Sequence, residues 1–122
     1  CLPFLPMTGA AADETLSHTD RVFRKHGFTP YVTLNLVDTK SIEGVINLGF
    51  DRRDARRTEA AHQCIDELLE TFCRVGYIPY RVGVQSMDRM VDPADPFWHT
   101  VSTLKTALDP QGIIAPGRYS LV

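Results

Sequence analysis

The stretch "PYRVG", residues 79–83, places a phenol beside a guanidinium, Tyr80 next to Arg81. A tyrosine hydroxyl can donate a hydrogen bond and an arginine is a permanent cation, so together they can bind and stabilise an anionic oxygen. Spacing alone favours a plainer arrangement, an edge-strand tyrosine packed on the core with an arginine in solvent. On a regular strand consecutive side chains point to opposite faces, so both groups reach one ligand only where the strand bulges or ends. Pro79 or Gly83 would permit that.

Other chemistry-bearing residues are weaker candidates. The run "DRRDARR" holds Arg52, Arg53, Arg56 and Arg57, but Asp51 and Asp54 lie within it, which favours a solvated face with local pairing over an anion site. His18, His26, His62 and His99 are scattered with no second ligand three or four residues on, so a metal site is not expected. His62 and Cys64 are about 200° apart on a helix and cannot share a metal. Cys1, Cys64 and Cys73 make an odd count, and Cys64 and Cys73 fall on opposite helix faces, so free thiols and a cytoplasmic compartment are expected. There is no Gly-rich phosphate loop, no G-x-S-x-G elbow and no P-loop.

The elements that must position Tyr80 and Arg81 read from periodicity and caps. Leu2 to Met7 is a short strand, weakened by its prolines. A helix follows, with Thr8 as N-cap, Gly27 at its end, and Ala12, Leu16, Thr19 and Phe23 as its apolar marks. Val32, Leu34 and Leu36, then Ile46, Leu48 and Phe50, alternate with polar residues on either side of Asp38-Thr39-Lys40, which predicts a hairpin. From Asp54 to Val75 the stripe Ala61, Ile65, Leu68 and Phe72 predicts a second helix, ended by Gly76. The run 77–85 predicts a fourth strand, with Ile78, Tyr80, Val82 and Val84 on its apolar side. The order βαββαβ is that of a ferredoxin-like α+β fold, an antiparallel sheet with helices on one face. Beyond it, a short helical turn and loop lead to a last helix capped by Asp95-Pro96 and bearing Trp98, Val101, Leu104 and Leu108.

At 122 residues, 43% hydrophobic and 23% charged, the chain fits one ordinary soluble domain. A formal charge of −2 argues against a nucleic-acid partner, and no apolar run approaches a membrane span. The first residue is Cys1 and no basic n-region precedes it, so the chain reads as a fragment. The apolar, proline-bounded tail "LDPQGIIAPGRYSLV" reads as docked, because free termini are usually polar and frayed.

The ordered pattern "GYIPYRVGVQSMDRMV" followed by "LKTALDPQGIIAPGRYS" resembles the C-terminal part of the vanillyl-alcohol oxidase and 4-cresol dehydrogenase family of FAD-linked oxidases. The resemblance runs the whole chain and implies a substrate-binding cap over residues 1–85 and, over 86–122, a helix and tail packing on an FAD-binding domain. Residue by residue, it implies that Tyr80 and Arg81 bind the phenolic oxygen of a 4-substituted phenol as phenolate, and that Arg118 lies near the flavin. The implied activity is oxidation of such a phenol, or of a benzylic alcohol, by hydride transfer to FAD, with the fragment alone inactive. Implied partners are the N-terminal FAD-binding domain of the same protein, a small aromatic substrate and further copies in a homo-oligomer. Where the family has a Met-His-His run, this chain has Ile42, Glu43 and Gly44, and Glu43 favours a polar or cationic substrate. The family residue that tethers FAD falls at or just before Cys1, which leaves covalent linkage open. Two alternatives stand beside this expectation: the same flavin with a hydroxy acid or aliphatic alcohol paired by Arg81, and a non-catalytic ferredoxin-like binding module.

Overall fold

The computed structural model describes residues 1–119. Ser120, Leu121 and Val122, the end of the tail expected to dock, lie outside the described residues. The chain divides into two compact units, Cys1–Arg81 and Val82–Val122.

In the first unit, β1 (Phe4–Pro6), α1 (Gly9–Lys25), β2 (Pro30–Leu36), β3 (Ser41–Leu48) and α2 (Ala55–Arg74) follow one another. The sheet is antiparallel with β3 in the middle, flanked by β1 and β2. The α+β plan, an antiparallel sheet packed with helices, is therefore present.

Local chemistry sets the ends of these elements. The Thr8 hydroxyl accepts a hydrogen bond from the Ala11 N–H at 3.1 Å, and Asp54 accepts from the N–H groups of Arg56 and Arg57, satisfying donors that a helix start leaves unpaired. Both helices run out into glycines with positive φ, Gly27 at 72° and Gly76 at 83°, a conformation that other residues adopt at a cost. The hairpin closes as its turn residues predict, with the Asp38 carboxylate accepting from the N–H groups of Lys40 and Ser41.

The core lies between helices and sheet. Val22 and Phe23 of α1, Ala61, Cys64, Leu68 and Phe72 of α2, and Leu5, Ile42 and Ile46 of the sheet are all buried. The phase of α1 differs from expectation: Thr15 is buried and Leu16 exposed. Val22, Phe23 and Thr19 fix the inward face, and Thr15 stands one turn before Thr19 on it. The Thr19 hydroxyl is satisfied by the Thr15 carbonyl at 2.7 Å. The Lys25 ammonium and the His26 ring also reach Glu67 of α2, at 2.7 and 2.8 Å. Hydrogen bonds from Lys25 first, then His26, hold the Glu67 carboxyl below its ordinary pKa.

In the second unit a 3-10 turn, Val84–Arg89, precedes α3 (Pro96–Leu108). The Asp95 carboxylate caps α3 by accepting from the Phe97 N–H at 2.9 Å, with Pro96 in the first turn. No residue of α3 is buried.

One hydrogen bond gives the first unit a pH dependence. The buried Tyr77 hydroxyl donates to Glu14 of α1 at 2.5 Å, and this bond, with burial adding to it, pushes the phenol up to about 12 from its ordinary value of about 10. An unfolded chain ionises the phenol first, so the stabilisation is complete below pH ~10 and is lost as pH rises towards the folded value. Denaturant titrations should show stability falling between pH 10 and about 12. Tyr77→Phe should be less stable at neutral pH and show a flatter alkaline limb, and an unchanged limb would refute the role of this bond.

Candidate functional site

The expected fourth strand is present only as one isolated bridge, Pro3 to Pro79. Two backbone bonds flank it, from the Phe4 N–H to the Ile78 carbonyl at 3.0 Å and from the Tyr80 N–H to the Leu2 carbonyl at 2.7 Å. Residues 78–80 thus run antiparallel beside β1, at the place where a ferredoxin-like sheet has its fourth strand. Pro79 turns its missing donor away from β1, which ends pairing on that edge.

The inward and outward sides of this run are the reverse of those expected. Tyr77 and Pro79 are buried, while Ile78 and Tyr80 are exposed, Tyr80 at 57%. The turn at Gly76 brings Tyr77 back onto Phe72, with ring centroids 6.4 Å apart, and side-chain alternation then points Tyr80 outward.

Alternation along β1 and β3 says what Tyr80 joins. Leu5 and Ile42 are cross-strand partners on the buried side, so Phe4 and its partner Glu43 face the other way. Phe4 meets the Tyr80 ring edge-on at a centroid distance of 5.5 Å. Glu43 is also opposite Asn35 on β2, and the Asn35 amide donates to its carboxylate at 3.2 Å. The face opposite the helices therefore presents Tyr80, Phe4, Glu43 and Asn35.

Arg81 follows at the point where pairing ends, and its guanidinium carbon lies 5.9 Å from the Tyr80 ring centroid. The end of the strand removes the alternation that would have sent the two side chains apart. Tyr80 and Arg81 thus share one locality. Phe4 had no place in the sequence reading beyond its strand, although its alternation with Leu5 is a signal for an outward aromatic.

Arg118 belongs to the second unit. It is exposed, its backbone N–H donates to the Ala115 carbonyl at 3.2 Å, and no ion pair engages its guanidinium among the described residues. In "DRRDARR", Arg53 pairs with Asp51 at 2.9 Å, Asp54 serves as a helix cap, and Arg57 lies 4.2 Å over the Phe28 ring while donating to the Gly27 carbonyl. That is the local pairing expected of it. Among the described residues no three His, Cys, Asp or Glu side chains converge as metal ligands.

Comparison with known proteins bears on the chain as a whole. No protein-family model matches the chain. It is 32% identical over 120 residues to the 4-cresol dehydrogenase [hydroxylating] flavoprotein subunit of Pseudomonas putida, covering 98% of this chain and 23% of that protein. It is 30% identical over 117 residues to 1'-carboxy-chondrochloren decarboxylase of Chondromyces crocatus, covering 96% of this chain and 22% of that protein. The crystal structure of p-cresol methylhydroxylase with substrate bound superposes with a TM-score of 0.86 at 29% identity, over 98% of this chain and 23% of that one. The chain matches the C-terminal part of the 4-cresol dehydrogenase and vanillyl-alcohol oxidase type of FAD oxidases. A 4-ethylphenol oxidase from Gulosibacter chungangensis, in complex with isoeugenol, shares the fold with a TM-score of 0.87 at 20% identity, over 98% of this chain and 24% of that one. The chain therefore spans about a quarter of the length of these relatives. No helix among the described residues is long and apolar enough to cross a membrane.

The thiols differ in a way that can be measured. Cys64 is buried and Cys73 exposed, as their opposite helix faces require. Burial, with a smaller contribution from Glu67, pushes the Cys64 thiol up to about 11. Under native conditions a thiol reagent should modify Cys73 and leave Cys64 unmodified until denaturant is added, as read by peptide mass mapping. Early modification of Cys64 would contradict its place in the core.

Proposed function

We propose that this chain is the substrate-binding cap and tail of an FAD-dependent oxidoreductase that oxidises a 4-substituted phenol or benzylic alcohol. The observation that supports this most directly is the Tyr80 and Arg81 pair on the sheet face opposite the helices, with Phe4 against the Tyr80 ring. Arg118 is the exposed cation assigned to the cofactor, and it fits an electron-rich ring edge or an anionic flavin. It has no phosphate-binding loop, so most of the FAD is held by an N-terminal domain of the same protein. When bound, FAD supplies the acceptor for a hydride from the benzylic carbon.

What this chain's residues do follows from charge. The Tyr80 hydroxyl donates to the phenolic oxygen and the Arg81 cation holds that oxygen as phenolate. A phenolate pushes electron density through the ring towards the benzylic carbon at the para position, so loss of hydride from that carbon leaves a neutral quinone methide instead of a cation. Donors fixed in place before the reaction lower the barrier without reorganising during it. Phe4 restricts the Tyr80 ring and offers an apolar edge to an aromatic substrate.

A second reading keeps the cofactor and changes the substrate. Glu43, held by Asn35 on the same face, favours a ring substituent that donates a hydrogen bond or carries positive charge. A cytoplasmic compartment, homo-oligomeric assembly, the 1–85 cap and 86–122 tail division, and inactivity of the 122 residues alone belong to this proposal too.

Anaerobic titration of the full-length protein with a 4-alkylphenol should bleach the oxidised flavin band. Arg81→Ala should slow that bleaching by about 100-fold to 1,000-fold, the range for loss of one preorganised donor, while leaving folding intact. Bleaching at the wild-type rate would remove Arg81 from the site, and a flavin that does not bleach with any phenol would move the substrate to hydroxy acids or alcohols.

A further inference from the structure

The tail beyond α3 has little apolar burial to hold it. Ile113 and Ile114 are 74% and 65% exposed, and Ala115 and Tyr119 have positive φ values of 46° and 49°, which non-glycine residues adopt at a cost. Something other than hydrophobic contact must hold this backbone, and two charged side chains from the end of α3 do so. Asp109, 8% exposed, accepts from the Ile113 N–H at 3.0 Å through one carboxylate oxygen and from the Ile114 N–H at 2.7 Å through the other. Lys105, one turn earlier, donates from its ammonium to the carbonyls of Ile114 and Ala115, both at 3.1 Å. Further along, the Tyr119 ring stacks on Trp98 of α3, with centroids 6.4 Å apart and planes 8° from parallel. Arg118 lies between these two anchors.

We propose that Lys105 and Asp109 are positioning residues, a polar latch that fixes residues 113–115 and so presents Arg118 to the flavin. The inference rests on the reading of Arg118 as a cofactor-facing cation. Each latch residue spends its charge on backbone groups. Hydrogen bonds with one ionised partner are the stronger kind, and two per side chain specify direction as well as distance. The strained φ at Ala115 is held between the carbonyl contacts of Lys105 and the turn that brings the Arg118 N–H back to the Ala115 carbonyl. A guanidinium on such a loop is ordered before the cofactor arrives, so less entropy is lost on binding.

The test uses the full-length holoprotein and two readouts, amide hydrogen exchange of the peptide covering residues 113–115 and the midpoint potential of the flavin. Lys105→Met and Asp109→Asn should each speed exchange at that peptide by about tenfold or more, as expected for lost charge-assisted bonds. Lys105→Met should shift the potential in the same direction as Arg118→Ala, the double variant should shift it no further than Arg118→Ala alone, and Lys105→Arg should restore both readouts. Unchanged exchange would overturn the latch, as would shifts from Lys105→Met and Arg118→Ala that add in full. If Arg118→Ala shifts the potential and Lys105→Met does not, the positioning role fails and the reading of Arg118 stands. If Arg118→Ala leaves the potential unchanged, both fail.

Discussion

Pro3, fully buried between Gly44 and Pro79, is the contact on which the first unit depends. The Gly44 N–H donates to the Pro3 carbonyl at 2.8 Å, and a Cβ on Gly44 would come within 3.1 Å of the proline ring. A side chain at this position would push the proline ring aside by a few tenths of an ångström, so glycine suits the close approach of β3. On its other side Pro3 faces Pro79, a pair in which neither residue is asked for an N–H towards the other. The neighbouring bonds, from Phe4 and Tyr80, carry the pairing instead. One proline therefore fixes the register of the central strand and of the final edge together.

Register then decides which residues face away from the helices. Side chains alternate along a strand, so a slip of one residue at Pro3 would turn Phe4 and Tyr80 into the core and send Leu5 and Tyr77 outward. The helices cover one face of the sheet. With that face filled by Leu5, Ile42 and Ile46, a phenol, an aromatic edge and the amide-held carboxylate of Glu43 are left together on the other. The composition of the open face thus follows from how the core is filled.

What the sequence disclosed and what it concealed divide along the same line. Thr8, Asp38, Asp54 and Asp95 act on backbone groups two or three residues away, so their roles could be read from local pattern alone. Thr15 and Leu16 could not, because both fit a helical period and only packing against α2 and the sheet chooses between them. The run 77–84 misled for a related reason. It alternates well in either phase, and the phase is set by the Gly76 turn and by Pro3, which lies over 70 residues earlier. The resemblance singles out the Tyr80 and Arg81 pair, and the alternation that would have sent the two side chains apart is absent because the strand stops at Tyr80. The latch at Lys105 and Asp109 was hidden, since two ordinary charged residues one turn apart on a helix more often face solvent.

The arginines show why density of charge is a poor guide to a site. "DRRDARR" is the most cationic stretch of the chain, yet Asp51 takes Arg53, the Phe28 ring takes Arg57, and Arg52 and Arg56 stand on an exposed surface where water and salt screen them. Arg81 is alone in sequence, but its neighbours are the Tyr80 ring and, one contact further, Phe4. Aromatic surfaces do not neutralise a cation as a carboxylate does. Exposed and with a ring instead of a carboxylate beside it, the Arg81 guanidinium keeps the donors that Arg53 has given to Asp51. Arg118 is likewise exposed, with no ion-pair partner among the described residues.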